Sequence, residues 1–542
     1  MNGVCADGSC ARTRKFRRAR VAVAALTLCG SSAWALEFAP GDGDLKIRWD
    51  NNLKYSAAAR VHGASDVLLG NPNQDDGDRN FRRGLISNRI DLLSDLDVVY
   101  KGDFGVRVSG AAWYDSVYNR GTSNESAATF NPASVSVGQF TDATRGLHGR
   151  KAEWLDAFVF AKGVADGMRW NVRAGQHTVL WGETLFFGGN GIAGAQSPVD
   201  VVKIQSVPNW QFKEIIRPVG QFSGSLQITQ DVQLSAYYQY EWQATRLPGV
   251  GSYFATQDVF DVGGERFLVP FPPFKLRRGA DLGPKDSGQG GLQMRFRLPQ
   301  GQTDYGLYAV RFHDKTPQLY LNPLLGSYQI AYQQGITSFG ASANRTFGDV
   351  NLAAEVSIRR NAALANDGAV NFSLAQTSID TPLHPVGKTA HLNLSMIWTV
   401  PRTPLFNEAT LLAEVGWNRA LSVSNGLPVA ANSSRDAWGL RTQFVPSYRQ
   451  VLPGLDLEVP IGLGYNPEGR SQAVSFFNGG VNQGGDVSVG LSGNYLNTWK
   501  FGLSYTHYFG SAGTVTTAQG QLTFKQALRD RDFLSFNVQT TF

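Results

Sequence analysis

The sequence predicts an all-β fold, a transmembrane antiparallel β-barrel. Three observations predict it: an N-terminal export signal, repeated segments of alternating apolar and polar residues, and an aromatic residue at the C-terminus. Sixty glycines and only 17% charged residues suit a sheet protein with many tight turns. The mean hydropathy is −0.21, and no apolar run approaches the roughly 20 residues that a spanning helix needs. We therefore exclude a helical membrane protein.

Residues 1–35 have the three parts of a secretory signal peptide. A basic block precedes an apolar run over residues 21–30, and Ala33-Trp34-Ala35 forms an A-x-A cleavage signal. The apolar run is about half the length of a spanning helix. We expect cleavage near Ala35, which leaves residues 36–542 as a single outer-membrane barrel domain.

Removal of the signal changes the charge and the cysteine content. Residues 1–35 contain six basic residues and one acidic residue, so the formal net charge falls from +6 to +1. This near-neutral charge removes the main support for nucleic-acid binding. Cys5, Cys10 and Cys29 all lie in the same segment, so the mature chain can form neither a disulfide nor a thiolate metal site.

Alternation with a period of two residues recurs along the mature chain. In residues 231–242, DVQLSAYYQYEW, every second side chain from Val232 to Trp242 is apolar or aromatic. The segments with this pattern are 45–60, 85–100, 103–118, 152–161, 168–177, 219–229, 231–242, 288–298, 303–313, 337–346, 350–360, 389–399, 409–419, 436–447, 455–464, 486–496, 498–509 and 532–542. We predict about eighteen strands, with sixteen as the alternative.

The connections alternate between short and long, as periplasmic turns and extracellular loops do in such barrels. Residues 101–103 form a short connection, whereas 178–218 and 243–287 are long. Segment 514–525 also alternates, but a nineteenth strand would leave the C-terminus on the outer side. We therefore assign 514–525 to the last outer loop.

Unlike charges on the predicted inner faces distinguish a barrel from a soluble sandwich, whose inner faces form an apolar core. Arg89, Asp91 and Asp95 on one strand face Arg107 on the next. We predict that these four residues line a polar lumen.

The last strand ends in a pattern that looks like the C-terminal signal read by the barrel-assembly machinery. Phe536, Val538 and Phe542 alternate with polar residues up to the end of the chain. We therefore expect the barrel-assembly machinery to be a partner during biogenesis.

Several stretches resemble the proteobacterial family catalogued as domain of unknown function 1302. They are NPNQDDGDRNFRRG (71–84), NRIDLLSDLDVVY (88–100), GVRVSGAAWYDSVY (105–118), RAGQHTVLWGETLFF (173–187), AGAQSPVDVVK (193–203), KEIIRPVGQ (213–221), YYQYEWQATRLPGVGSYF (237–254) and DRDFLSF (530–536). The resemblance covers nearly the whole mature chain. It implies an outer-membrane protein involved in the passage or export of hydrophobic compounds, without an established chemistry.

The long connection 178–218 is the candidate functional site. It is too apolar for a loop in water, so we predict that it folds into the lumen and forms a constriction. The candidate lining residues of the loop are Trp181, Glu183, Phe186, Phe187, Lys213, Glu214 and Arg217. Alternatively, these charges pair with the wall and hold the loop against the barrel, and both roles can coexist.

The expected function is that of an outer-membrane channel for a small hydrophobic or amphipathic organic solute. The alternatives are a barrel component of an export system for lipids or hydrophobic compounds, and a barrel hydrolase that acts on lipid. The sequence has no G-x-S-x-G motif, so we expect no enzyme. Other expected partners are outer-membrane lipid, lipopolysaccharide and envelope transport proteins.

Neither a cofactor nor a metal is expected. Asp75-Asp76-Gly77-Asp78 has hard oxygen ligands but lacks the full spacing of a calcium loop. We interpret it as a solvated turn. The seven histidines are scattered without the spacing of metal ligands.

Overall fold

The computed structural model describes residues 36–38, 43–208, 212–269, 273–299, 301–374 and 377–542. The expected signal peptide lies outside the described residues. Eighteen antiparallel strands form one closed ring. In chain order they are β1 (Leu45–Arg60), β2 (Gly84–Tyr100), β3 (Phe104–Asp115), β4 (Arg150–Ala165), β5 (Met168–His177), β6 (Val219–Gln227), β7 (Val232–Gln239), β8 (Gln289–Arg297), β9 (Thr303–Phe312), β10 (Ile336–Phe347), β11 (Val350–Ala363), β12 (Val386–Val400), β13 (Glu408–Val423), β14 (Asp436–Leu452), β15 (Leu455–Glu458 and Ile461–Glu468), β16 (Gly484–Tyr495), β17 (Trp499–Phe509) and β18 (Phe533–Thr541).

The ring closes between the first strand and the last. Phe533 of β18 lies opposite Arg60 of β1, and Thr541 lies opposite Asn52. The other strands pair with their neighbours in chain order. The short strand Leu36–Phe38 adds to β1 outside this ring order. Closure satisfies the backbone N–H and C=O groups between strands, which a chain inside lipid requires.

The prediction of about eighteen strands is confirmed. Two of them, 45–60 and 168–177, have the predicted bounds. β15 is interrupted at Pro460 because proline has no N–H to donate to a neighbouring strand. Segment 514–525 carries an isolated bridge from Thr516 to Leu522 and belongs to the last long connection, as the parity argument requires.

Short and long connections lie at opposite ends of the barrel. The turn after β2 is short because Lys101 and Gly102 both have positive φ, 50° and 76°, which matches the right-handed twist of the two strands. The start of β1 and the end of β18 lie at the same end as this turn. The connections 61–83, 116–149, 178–218 and 240–288 begin at the other end.

The outer surface of the barrel is apolar. Leu234 and Tyr238 of β7 and Leu292 of β8 are 42%, 48% and 65% exposed, while Ser235 and Tyr237, which alternate with the outward residues of β7, face inward. Phe104 and Tyr495 are exposed aromatic residues near the short turns, as in the aromatic girdles of membrane barrels. Among the described residues, no helix is long and apolar enough to cross a membrane.

The long connections build a second sheet outside the barrel, which the sequence analysis did not predict. Its five strands are Arg266–Val269, Phe274–Arg278, Gln318–Asn322, Ser327–Ala331 and Ala369–Val370. Tyr328 and Ile330, both fully buried, form the centre of its core. Its strands come from the three connections after β7, β9 and β11, so strand pairing joins these connections.

Candidate functional site

The connection between β5 and β6, residues 178–218, folds inward and crosses the lumen. Its first half contacts inward-facing residues of β11 to β13, and its second half contacts β1 to β4. We call residues 181–196 and 200–217 of this connection the first and second arms. Each arm is attached by specific hydrogen bonds to polar residues of the wall.

Glu414 of β13 binds three consecutive backbone amides of the first arm. Its Oε2 accepts hydrogen bonds from the N–H groups of Leu185 (3.0 Å), Phe186 and Phe187 (3.0 Å). Its Oε1 accepts one from the Asn393 side chain at 2.7 Å. The carboxylate is buried, and a buried charge is tolerated when it is fully hydrogen-bonded. Glu414 therefore fixes the backbone of the loop inside the barrel.

Glu355 of β11 binds the same arm at two further points. Its Oε2 accepts the N–H of Glu183 at 2.8 Å, and its Oε1 accepts the N–H of Ile192 at 2.6 Å. A Cβ atom on Gly182 would lie 2.3 Å from Oε2, and one on Gly191 would lie 2.7 Å from Oε1. Only glycine lets the backbone approach this carboxylate so closely.

The carbonyl groups of the first arm are bound as well. Arg359 of β11 donates from Nη2 to the carbonyl oxygens of Gly189, Asn190 and Gly191, at 3.0, 2.9 and 2.8 Å. The Asn190 side chain donates to Asn393 Oδ1 at 2.9 Å. Two carboxylates thus bind N–H groups and one guanidinium binds carbonyl groups, so charges of both signs are compensated by main-chain dipoles.

The second arm is attached through ion pairs. Lys213 pairs with Asp95 of β2, and Glu214 lies 3.3 Å from Lys54 of β1, where both side chains are buried. Arg217 donates to the carbonyl oxygen of Ala244 at 2.9 Å. These contacts attach the second arm to the wall opposite the first and to the connection after β7.

The predicted charged residues of the loop therefore have bracing partners. Glu183 accepts a hydrogen bond from Asn344 at 2.8 Å and lies 3.8 Å from Arg295, and Lys213, Glu214 and Arg217 are bound as described. These contacts correspond to the alternative in which the charges hold the loop against the wall. Their role in selecting a solute stays a prediction.

The predicted aromatic residues divide into two groups. Trp181 packs edge-on against Tyr237, with ring centroids 4.9 Å apart, and is half-buried. Phe187 is buried and stacks on Phe477 at 5.3 Å, so it packs in an apolar cluster. Phe186 keeps partial exposure. Trp181 and Phe186 are thus the aromatic residues of the first arm with surface still accessible.

The predicted wall residues are also paired. Arg89 is buried, pairs with Asp91 at 2.6 Å and lies over the Trp113 ring at 4.7 Å, so little of it reaches the lumen. Arg107 makes two hydrogen bonds of 2.8 Å to Asp97 and remains partly exposed. Asp95 is the partner of Lys213.

The interpretation of Asp75 to Asp78 as a solvated turn is wrong. Asp75, Asp76 and Asp78 are at most 2% exposed, because the long connections after β1, β3, β7 and β17 pack around them. Asp78 binds Arg60 of β1 and Arg531, each at 2.9 Å. Partners from distant parts of the sequence replace the expected water.

Asp76 is the most perturbed of these carboxyl groups. It accepts hydrogen bonds from the Asn124 side chain and the Asn131 N–H, and its own N–H binds Asp258. Burial and the charge of Asp75 raise the pKa of Asp76 to about 7. Burial and the charge of Asp76 raise the pKa of Asp258 well above its usual value. Among the described residues, no group of three or more His, Cys, Asp and Glu residues could hold a metal ion.

Sequence reasoning missed the main anchors of the loop. Glu355, Arg359 and Glu414 lie on strands far from residues 178–218 in sequence. Alternation places Glu355 on the inner face of its strand, but it does not identify its partner. One feature of the sequence indicates such anchors. Isolated carboxylates on inner faces occur together with a glycine-rich loop, whose backbone N–H groups need hydrogen-bond acceptors.

Solved structures of outer-membrane proteins align with most of the chain. OccAB4 of Acinetobacter baumannii is 10% identical, with 92% of this chain and 98% of that chain covered and a TM-score of 0.40. OpdK of Pseudomonas aeruginosa with vanillate is 11% identical, with the same coverage and TM-score. OmpT of Vibrio cholerae is 8% identical over 93% of this chain and 99% of that chain, with a TM-score of 0.34.

No curated protein matches the chain. A family model described as "Protein of unknown function (DUF1302)" matches residues 16–542, which is nearly the whole sequence. The resemblance seen in the sequence motifs is thereby confirmed, and the chain belongs to the DUF1302 family.

Proposed function

We propose that the chain is an outer-membrane channel for a small organic solute, and that the lumen-crossing connection 178–218 is its constriction. The observation that carries the proposal is the attachment of this connection to opposite walls, by Glu355 and Glu414 on one side and by Lys54 and Asp95 on the other. A loop fixed at a defined height narrows a pore without closing it, and pores select by diameter and lining groups.

We further propose that the solute is amphipathic. The lumen is lined by polar and charged residues, yet the first arm presents apolar surface within it. Leu185 is 38% exposed, and Trp181 and Phe186 are partly exposed. A solute with one polar and one apolar part would contact both surfaces at the constriction.

Placement in the outer membrane is supported by the apolar exterior of the closed barrel and by its C-terminal residues. Phe536 and Phe542 are 42% and 39% exposed, which leaves both rings accessible to the barrel-assembly machinery and then to lipid. Export by a signal peptide cleaved near Ala35 remains part of the proposal.

Conductance in a planar bilayer tests the channel. The purified wild-type barrel should give discrete conductance steps, and a variant with residues 183–195 replaced by a short Gly-Ser linker should give larger ones. Glu468→Gln is a suitable control, because Glu468 pairs with Arg470 at an exposed site away from the first arm. Closed bilayers with both the wild type and the linker variant would contradict the proposal.

A barrel hydrolase is the second candidate, because one serine lies beside a histidine in the wall. The Ser223 hydroxyl is 2.7 Å from His177 Nε2, and His177 Nδ1 is 3.0 Å from the Gly175 carbonyl oxygen. This histidine is buried and is oriented by a main-chain carbonyl, without the carboxylate of a Ser-His-Asp triad. Phospholipid hydrolysis that Ser223→Ala abolishes would favour the enzyme over the channel.

A further inference from the structure

We propose that the channel binds and passes small organic anions, carboxylates with an apolar body, along the inner face of β5 to β8. This inference rests on the proposed channel function and names its substrate class. It is carried by the arginines of these four strands, by the lack of carboxylates on the same strands, and by the pairing of most carboxylates on the neighbouring strands β2 to β4.

The four strands β5 to β8 carry arginine as their only charged residue type. Their sequences contain Arg169, Arg173, Arg295 and Arg297, and neither aspartate nor glutamate. The register places these residues on the inner face. Arg173 lies opposite Ser223, whose hydroxyl contacts the buried His177.

The strand register also places the two arginines of β8, Arg295 and Arg297, on the inner face. Arg295 lies opposite Gln233 of β7, and its strand neighbour Met294 belongs to the exposed outer surface. Alternation therefore turns Arg295 and Arg297 toward the lumen.

Within the described residues, two of these four arginines, Arg295 and Arg297, have a carboxylate within 4.0 Å. Arg297 pairs with Asp304 of β9 at 2.7 Å, and the carboxylate of Glu183 lies 3.8 Å from Arg295. Within the described part of the chain, no carboxylate lies within 4.0 Å of Arg169 or Arg173. Arg173 instead lies 5.6 Å from the centroid of the Phe158 ring, which holds its guanidinium in the lumen.

Most of the carboxylates on the neighbouring wall, β2 to β4, are paired with cations. β2 to β4 carry Asp91, Asp95, Asp97, Asp115, Glu153 and Asp156. Asp91 pairs with Arg89, Asp95 with Lys213 and Asp97 with Arg107. Glu153 pairs with Arg246. Among these carboxylates, Asp156 makes no ion pair within 4.0 Å with a described residue but interacts electrostatically with Arg107 and Arg173. It therefore offsets only part of the positive charge of the four arginines on β5 to β8.

Neutral polar groups complete the anion-binding face. Ser225 accepts a hydrogen bond from Asn171 at 2.6 Å, which leaves its hydroxyl proton available for an incoming oxygen. A carboxylate can bind a guanidinium through two parallel hydrogen bonds. The apolar part of such a solute would contact Leu185 of the first arm. Leu185 lies two residues after Glu183, whose carboxylate is 3.8 Å from Arg295.

Reversal potentials test the inference. In a tenfold KCl gradient the wild-type channel should favour chloride over potassium, and Arg173→Gln with Arg295→Gln should lower this preference at least about threefold, because a charge-lined pore concentrates counter-ions. Arg173→Lys with Arg295→Lys keeps the charge and should preserve the preference. Arg345→Gln is the matched control, since Arg345 lies on the outer face of β10 over Phe347.

Swelling of liposomes that contain the barrel distinguishes the class of anion. Benzoate should enter faster than benzylamine, and the double glutamine variant should lose this difference. Faster entry of phenyl phosphate than of benzoate would overturn the assignment to carboxylates. Cation preference in the wild type, or a double variant that behaves like Arg345→Gln, would overturn the whole inference while the conductance itself still supports a channel. No conductance at all would instead overturn the proposed function.

Discussion

The carboxylate of Glu414 accepts the N–H of Phe187 across the lumen at 3.0 Å, and the same oxygen also binds the N–H groups of Leu185 and Phe186. These two residues are 227 positions apart in the sequence. Three donors on one carboxylate oxygen concentrate the attachment of the first arm on a single side chain.

Glu414→Gln should therefore loosen the first arm without unfolding the barrel. The amide is neutral, and loss of charge from hydrogen bonds of this kind costs about 2 kcal/mol. The amide protons of residues 185–187 should exchange roughly 30-fold faster, the factor that corresponds to this free energy. Hydrogen exchange followed by mass spectrometry measures the effect. Unchanged exchange, or a change matched by Glu468→Gln, would show that Glu414 does not fix the loop.

Gly182→Ala should displace the first arm from Glu355. Gly182 has a φ of 105°, and an added Cβ atom would lie 2.3 Å from Glu355 Oε2, so both backbone strain and a clash arise, at a cost of about 1–3 kcal/mol. The expected result is a larger or noisier conductance in planar bilayers. Gly188→Ala is the control, because its Cβ atom would meet nothing within 4 Å. Equal conductance in the two variants would refute the close fit at Gly182.

Alternation predicted the barrel because each strand follows a local rule. Leu234 and Tyr238 face outward and Gln239 faces inward whatever the remainder of the chain does, since successive side chains of a strand point to opposite faces. The even strand number follows from both termini lying at one end. These features need no knowledge of tertiary contacts.

The site could be predicted only in part, because its contacts join distant segments. The apolar character of residues 178–218 indicated an inward fold, but nothing local pairs Glu183 with the wall or links Ile192 to Glu355. The prediction of a solvated turn at Asp76 is wrong for the same reason. The environment of Asp76 is built by Asn124, Asn131 and Asp258, three residues from other connections.

Assembly of the barrel should depend on Phe542. Its backbone N–H and C=O both pair with Asn51 of β1, at 2.8 and 2.7 Å, so the last residue also helps to close the ring. Phe542→Ala should reduce the folded, heat-modifiable form in membranes severalfold, while refolding of the purified chain in detergent should change little. Tyr495→Ala, an exposed aromatic substitution on another strand, serves as the control. Equal losses in membranes and in detergent would indicate a packing role and not a signal.

The packing of the connection 61–83 should weaken as the pH rises through about 7. Burial raises the pKa of Asp76 from 3.8 to about 7. Between pH 3.8 and about pH 7, the folded connection 61–83 therefore binds more protons than the unfolded chain. Its stability therefore falls with increasing pH over this window and levels off above it. Asp530, whose pKa burial raises to about 6, adds to the decrease in the same direction.

Protease protection of the connection 61–83, measured from pH 5 to pH 8.5, checks this dependence. Wild-type protection should decrease across the window, and Asp76→Asn should make this decrease smaller because an amide does not titrate, with the contribution of Asp530 remaining. Asp142→Asn changes an exposed carboxylate on the connection after β3, so its profile should follow that of the wild type. A decrease that persists in Asp76→Asn with the same midpoint would assign the pH dependence to another group, because only the titration of Asp76 is removed by that change.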